Sequence, residues 1–257
     1  MSDAILADLL YSSSMKNFGS DEHMQIAGLI NEAKKNVIEK DTAIEIRRFL
    51  NENPAAIEKG LSYIQRPEKP VWYEWPLETR SGHGGDENAR TGCLIAPHPA
   101  DEELILAVTG WSTDGTTARH AFSVALFDTG SMDQLSKLAN SRTKTSPEAS
   151  LARILSAIET TMPPGFGDEI NILTDNDPMA HQRSYRDATA EIPYLLSIML
   201  LERCNGGLVG EMADGAVIYK MAAPSKRGVI QILMRKKSAN SYIHIPKFGN
   251  TPPTFYR

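Results

Sequence analysis

The chain has 257 residues, of which 41% are hydrophobic and 23% charged, and its formal net charge is −5. A chain of this size buries a core without disulfides or structural metals, and its net negative charge argues against a protein that coats nucleic acid with its whole surface. The first residues lack the basic and apolar stretches of a secretory signal. No apolar run approaches the roughly 20 residues that span a bilayer. We therefore expect a soluble cytoplasmic protein without a membrane partner.

Helical periodicity dominates the first part of the chain. After a capping residue at Ser20, apolar residues recur every three or four positions from Met24 to Val37, which predicts a helix with one apolar face. Asp41 is placed to cap a second helix, which Asn53-Pro54 interrupts. Residues 1–66 are therefore predicted to form a helical N-terminal part.

The apolar period changes from about 3.6 to 2 residues after Pro70. The aromatic run VWYEW at 71–75, with Pro on both sides, predicts an edge strand or the first strand of a sheet. Three more strand-like runs follow with short connections and no helix between them, at 92–96, 104–111 and 120–128. This order favours an antiparallel meander.

The last hundred or so residues return to a mixed pattern. Ser146-Pro147-Glu148 combines a cap, a first-turn proline and an acid, and predicts a helix start. A second helix is predicted over 192–199, and strands follow at 216–221, 228–235 and 242–245.

The predicted fold class is α+β, with N-terminal helices, a central antiparallel sheet, two further helices and C-terminal strands. We divide the chain into the helical part at 1–66, an α+β body at 67–246 and a tail at 247–257.

Charge is unevenly distributed along the chain. From Gly215 to the C terminus there is no Asp or Glu, and this segment carries +8, so the first 214 residues carry −13. Its basic residues are Lys220, Lys226, Arg227, Arg235, Lys236, Lys237, Lys247 and Arg257. Aromatic and histidine residues lie among them, namely Tyr219, Tyr242, His244, Phe248 and Phe255.

Clustered Lys and Arg on strands are typical of a face that contacts phosphate backbones, and aromatic rings are typical of surfaces that stack on single-stranded bases. We take all of the basic residues except Arg257, together with Tyr242, as the candidate binding residues. The alternative is internal neutralisation, in which the acidic first part folds against the basic last part and mixes the charges.

Motifs that fix a mechanism are missing from the sequence. It has no phosphate-binding loop, no dinucleotide-binding glycine motif, no HExxH and no nucleophile elbow, so we predict no cofactor and assign no catalytic residue. The two cysteines, Cys93 and Cys204, match no metal-binding spacing and are expected to be reduced thiols.

One alternative would make the protein an enzyme. His83 and Asp86 in one loop and His98 and Asp101 in the next supply the nitrogen and oxygen ligands that Zn²⁺, Mn²⁺ or Fe²⁺ accept. If the loops meet, they form the metal site of a hydrolase or nuclease. The competing interpretation is that Asp, Gly and Pro occur there because turns favour them.

The aromatic run at 71–75 also has two interpretations. If Val71, Tyr73 and Trp75 face the core, the aromatic rings pack the sheet. If Trp72 and Glu74 line an open face, they form a site for a ring or a sugar.

The segments Val71–Pro76 and Arg90–Ile95 resemble those of a group of uncharacterised proteins encoded in bacteriophages and prophages. These proteins share an aromatic-x-Glu-Trp strand followed by an Arg-x-Gly strand, and Leu200–Asn205 has a similar place in their order of elements. The resemblance covers about residues 70–205, and the C-terminal part departs from their Arg/Lys-Gly-Pro-Pro segment. It implies a phage accessory protein and supplies no catalytic residues.

Two functional hypotheses follow from the sequence. The first is a non-catalytic phage or prophage accessory protein that binds nucleic acid or a protein partner through the basic C-terminal strands. The second is the metal-assisted hydrolase or nuclease.

Overall fold

The computed structural model describes most of the chain, namely residues 5–17, 21–76, 88–98, 101–112, 118–141, 146–160, 191–205, 207–213, 215–221, 229–233, 242–246 and 255–256. Its helices are α1 (Leu6–Asn17), α2 (Asp21–Glu32), α3 (Lys40–Glu52), α4 (Pro54–Gly60), α5 (Thr129–Ser141), α6 (Pro147–Thr160) and α7 (191–202), with a 3₁₀ turn at Leu61–Tyr63. Its strands are β1 (Lys34–Ile38), β2 (Val71–Pro76), β3 (Arg90–Pro97), β4 (Leu104–Ser112), β5 (Ala118–Asp128), β6 (Cys204–Asn205), β7 (Leu208–Ala213), β8 (Ala216–Met221), β9 (Val229–Leu233), β10 (Tyr242–Pro246) and β11 (Phe255–Tyr256).

A seven-stranded sheet forms the centre of the molecule, in the order β5-β4-β3-β2-β1-β8-β7. Strands β2 to β5 form the predicted antiparallel meander, and the α+β class is confirmed. The sheet is mixed, however, because β1 runs parallel to both β2 and β8.

Strand β1 corrects the prediction of a helix that continues to Val37. The helix ends at Glu32, and Lys34–Ile38 pairs with strands on both sides. Val37 and Ile38 are β-branched, and pairing on two sides outweighs the weak helical period of the sequence. Consequently β2 is an interior strand and neither the edge nor the start of the sheet.

Helices cover both faces of this sheet. Helices α1 and α2 pack on one face, where Leu6, Leu10 and Ile30 meet Trp72 and Leu94. Helices α3 to α7 pack on the other face, against a larger core that includes the residues Tyr73, Trp75, Cys93, Ile95 and Tyr194. Side chains of β2 therefore alternate between two buried layers.

Three predictions about helices have direct outcomes. The cap at Asp41 is wrong, because α3 begins at Lys40 and Asp41 lies in its first turn. The cap at Ser146 is confirmed, because its Oγ accepts the backbone N–H of Ala149 at 3.2 Å at the start of α6. The predicted helix over 192–199 lies within α7. None of the helices in the described ranges is long and apolar enough to cross a membrane.

A second, four-stranded sheet follows α7 in the order β11-β10-β9-β6, and all of its pairings are antiparallel. Strand β6 begins two residues after the end of α7, so the helix leads directly into this sheet. Two residues of the predicted tail, Phe255–Tyr256, form β11.

Candidate functional site

The four-stranded sheet sorts its residues between two different faces. Residues directly opposite each other in an antiparallel pair lie on the same face, and alternate residues of a strand lie on opposite faces. The registers of these strands therefore place an apolar set on one face, namely Cys204, Ile230, Ile232, Ile243, Ile245 and Phe255. This set contains no charged residue.

The opposite face combines aromatic and polar residues with three apolar ones. It holds Asn205, Val229, Gln231, Leu233, Tyr242, His244, Pro246 and Tyr256. Tyr242 lies directly opposite Tyr256 on one side and Leu233 on the other, and His244 lies opposite Gln231. We call this surface the polar–aromatic face.

The four strands themselves contain no Asp, Glu, Lys or Arg. The basic residues are instead in the segments that enter and leave the strands. Lys226 and Arg227 precede β9, Arg235–Lys237 lies between β9 and β10, and Lys247 follows β10. These six candidate binding residues lie outside the described residues.

Lys220 is the candidate for which the structure shows a side-chain environment. It lies on β8 in the main sheet with 47% of its side chain exposed, and its Nζ is 3.5 Å from carboxylate oxygens of both Glu39 and Glu211. These two carboxylates raise the pKa of Lys220. Lys220 is therefore neutralised within the fold, as the alternative to a binding role proposes.

The aromatic residues among the basic ones also separate. Tyr219 is 5% exposed and donates its hydroxyl to Glu202, so it is a core residue and no stacking group. Phe255 is on the apolar face of the small sheet, whereas Tyr242 and His244 are on the polar–aromatic face. Phe248 lies outside the described residues.

The predicted metal site is described only in part. The Oδ1 atom of Asp101 accepts the backbone N–H of Glu103 at 2.8 Å, and the backbone of His98 bonds to Leu104 and Arg66. These contacts are those of a turn. His83 and Asp86 lie outside the described residues, and within those residues no three His, Cys, Asp or Glu side chains are grouped to hold a metal ion. The metal site remains a prediction.

The proposed open face at Trp72 and Glu74 is wrong, because both residues are fully buried beneath α1 and α2. The Glu74 carboxylate accepts Trp72 Nε1–H at 3.0 Å and Arg90 Nη1–H at 2.6 Å, and it also bonds the backbone N–H of Ala7 in the first turn of α1. Burial raises the pKa of Glu74, and Arg90 opposes this shift. The group anchors α1 to the sheet.

A buried polar group that sequence reasoning missed joins α7 to the seven-stranded sheet. The carboxylate of Glu202, the last residue of α7, accepts the hydroxyl of Tyr73 at 2.5 Å and that of Tyr219. Burial and Glu202 raise the pKa of both phenols. We call Tyr73, Glu202 and Tyr219 the tyrosine–glutamate cluster. It fixes the end of α7, and therefore the point where the second sheet begins.

Asn36 lies next to this cluster in β1, opposite Tyr73 in β2 and Val217 in β8. Its side chain is fully buried, and within the described residues neither of its amide atoms has a hydrogen-bond partner. A buried unsatisfied amide costs about 1–3 kcal/mol. No sequence pattern distinguishes Asn36, because a single polar residue in a strand is ordinarily a solvated one.

A third polar group holds the other end of α7. Arg47 donates Nη2–H to Glu191 at 3.2 Å and stacks 4.2 Å from the ring of Tyr194, whose hydroxyl donates to the carbonyl of Ala43. The Tyr194 ring also packs 4.9 Å from that of Trp75. Both ends of α7 are thus tied to the core by charged groups.

Comparison with known proteins gives no relative for this chain. No family model, no curated protein and no solved structure matches it.

Proposed function

We propose that this protein binds single-stranded nucleic acid on the polar–aromatic face of its four-stranded sheet. The observation that carries the proposal is the register of this sheet, which places Tyr242, His244 and Tyr256 on one face. Antiparallel sheets with aromatic residues on one face are a recurring platform for unstacked bases, because every base has a ring face to stack on.

Charge supports the same surface. The three segments that adjoin β9 and β10, at 222–228, 234–241 and 247–254, contain six Lys and Arg and no Asp or Glu. The strands between them are uncharged, so the small sheet has no carboxylate of its own to neutralise these cations. Phosphate groups are the natural counterions of such a segment.

Lys220 defines the limit of the proposed surface. It belongs to the same acid-free segment, but Glu39 and Glu211 already contact it. The binding surface therefore begins after β8, and it excludes one residue of the original candidate set.

In this proposal the chain is a non-catalytic phage or prophage accessory protein that acts in the cytoplasm. A nucleic acid is favoured over a protein partner because the surface combines stacking residues with cations, which is the combination that phosphate-linked bases require. The metal-assisted reaction is not proposed, since the described part of its site consists of turn contacts.

The test is fluorescence anisotropy of the purified full-length protein with labelled oligo-dT and oligo-U. We expect Lys236→Gln with Lys237→Gln to weaken binding about 10-fold at low salt, and Tyr242→Ala to weaken it by a similar factor. Lys220→Gln is the matched control, because it removes an exposed lysine that already has acidic partners. It should change the affinity less than about 2-fold.

Thermal unfolding of each variant confirms that the fold is intact. Absence of binding by the native protein at low salt, or an equal loss in Lys220→Gln and the double variant, would overturn the proposal. The basic segment would then be assigned to a protein partner or to neutralisation within the fold.

A further inference from the structure

Strand β7 is an open edge of the seven-stranded sheet. It pairs with β8 on one side and, among the described residues, with no strand on the other. All of its residues after Leu208 are exposed, including Val209 at 48% and Met212 at 74%. An edge of this kind presents unpaired N–H and C=O groups, and proteins ordinarily protect it with charges, proline or a covering element.

The turn after β7 determines which backbone groups face outward. Residues 214–215 connect the opposed pair Ala213 and Ala216, and Gly215 has φ +79°, as expected for a two-residue hairpin turn. The pair that flanks such a turn exchanges both hydrogen bonds, and hydrogen-bonded pairs alternate along the strands. The residues whose backbone groups point away from β8 are therefore Leu208, Gly210 and Met212.

We propose that β7 pairs antiparallel with β7 of a second copy of this chain, about a two-fold axis at Gly210. In this register Met212 lies opposite Leu208 of the second copy, and Glu211 lies opposite Val209 of the second copy. The three outward-facing residues of each strand then form hydrogen-bonded pairs, with about six backbone hydrogen bonds in total. The two sheets become one continuous sheet.

Charge and strand length select this register over its neighbours. If the two-fold axis lies at Glu211 instead of Gly210, the two Glu211 carboxylates lie directly opposite each other. Like-charge repulsion disfavours this register. If the axis lies at Val209, Met212 lies opposite residue 206 of the second copy, and this residue is outside β7. The proposed register avoids both problems and covers the most exposed apolar side chain of the strand.

The residue on the axis is a glycine, because its own molecule leaves no space for a side chain there. A Cβ at Gly210 would lie 2.5 Å from Cγ1 of Val217, so this position has no room for a side chain. The single carboxylate of the strand, Glu211, is 3.5 Å from Lys220 of the same molecule, which reduces repulsion between the copies. The edge therefore carries a single carboxylate, which Lys220 offsets, and it can pair with a copy of itself.

Sedimentation equilibrium of the full-length chain without nucleic acid tests the proposal. We expect a reversible, concentration-dependent rise from 28.3 kDa towards twice that mass. Met212→Pro removes an outward-facing N–H and leaves the bonds to β8 intact, since proline is tolerated at a strand edge. It should raise the dimer dissociation constant about 10-fold or more.

Met212→Lys places two charges at the contact and should weaken the dimer similarly, so the test does not depend on a single variant. The matched control is Leu138→Lys, which changes an apolar residue that is 53% exposed on α5. It should leave the dimer unchanged. A monomer at all concentrations, or a dimer unaffected by both Met212 variants, would overturn the proposal. Either result is independent of nucleic-acid binding.

Discussion

Substitution of Gly92 by alanine tests the packing of the central sheet most severely. A Cβ at this position would lie 2.3 Å from Cζ2 of Trp72 and 2.9 Å from the backbone oxygen of Tyr73. Ordinary carbon–carbon contacts are about 3.5–4.0 Å, so the overlap with the ring exceeds about 1 Å. The Tyr73 oxygen belongs to the neighbouring strand and cannot move independently of the sheet.

The ring of Trp72 has little freedom to withdraw. It is fully buried, and its Nε1–H donates to the Glu74 carboxylate at 3.0 Å. Overpacking costs about 1–3 kcal/mol, and loss of a buried hydrogen bond to a charged group adds about 1.5–3 kcal/mol. We therefore expect Gly92→Ala to lower the free energy of unfolding by about 3–5 kcal/mol.

Urea unfolding followed by circular dichroism and tryptophan fluorescence measures this change. Gly28→Ala is the control, because nothing lies within 4 Å of an added Cβ at that site in α2, and it should stabilise the protein by about 0.5–1 kcal/mol. A loss below about 1 kcal/mol in Gly92→Ala would refute the account of how β2 and β3 pack beneath α1.

Two further groups give predictions of the same kind. Tyr73→Phe and Tyr219→Phe should each lower the free energy of unfolding by about 1–2 kcal/mol, and the two effects should couple in a double-mutant cycle because both hydroxyls donate to Glu202. Because the pKa of both phenols is raised above the ordinary 10.0, their contribution to stability should be complete below about pH 10 and decline as pH rises above it. Alkaline urea titrations of the native protein and the double variant check this difference. Arg153→Met should lower the free energy of unfolding by about 3 kcal/mol, because it removes the two hydrogen bonds, of 2.5 and 2.8 Å, that Arg153 donates to the buried carboxylate of Glu58. Urea unfolding measures this change, and an unchanged midpoint would contradict the prediction.

Local patterns were sufficient to predict most of the strands. The runs at 71–75, 92–96, 104–111 and 120–128 alternate or are rich in β-branched and aromatic residues, and each lies within a strand of the structure. Strand β1 was missed because its five residues match a helical period as well as a strand. Only its parallel partners, far away in sequence, decide between the two.

The alternation of side chains along a strand shows which residues share a face, but it does not reveal which face is exposed to solvent. The sequence showed that Trp72 and Glu74 share a face, but α1 covers this face with residues more than 60 positions earlier in the chain. A charged residue on a strand is ordinarily exposed, and the partners Arg90, Trp72 and the backbone of Ala7 explain why Glu74 is buried.

The candidate binding surface was likewise predictable only in part from the sequence. The excess of basic residues after Gly215 is a property of the sequence, and it identified this part of the chain. The acidic partners of Lys220 became evident only from the structure, because Glu39 and Glu211 approach it from other elements. The registers of β9, β10 and β11 were needed to place Tyr242 and Phe255 on opposite faces.

The salt dependence of binding to single-stranded DNA tests the central claim most directly. If six cations each neutralise one phosphate, the slope of log affinity against log salt concentration should be about −4 for the native protein and about −3 for the Lys236→Gln, Lys237→Gln variant. Lys220→Gln should keep the native slope. A slope near zero, or one that changes equally in all variants, would contradict an interface built from the basic segments beside β9 and β10.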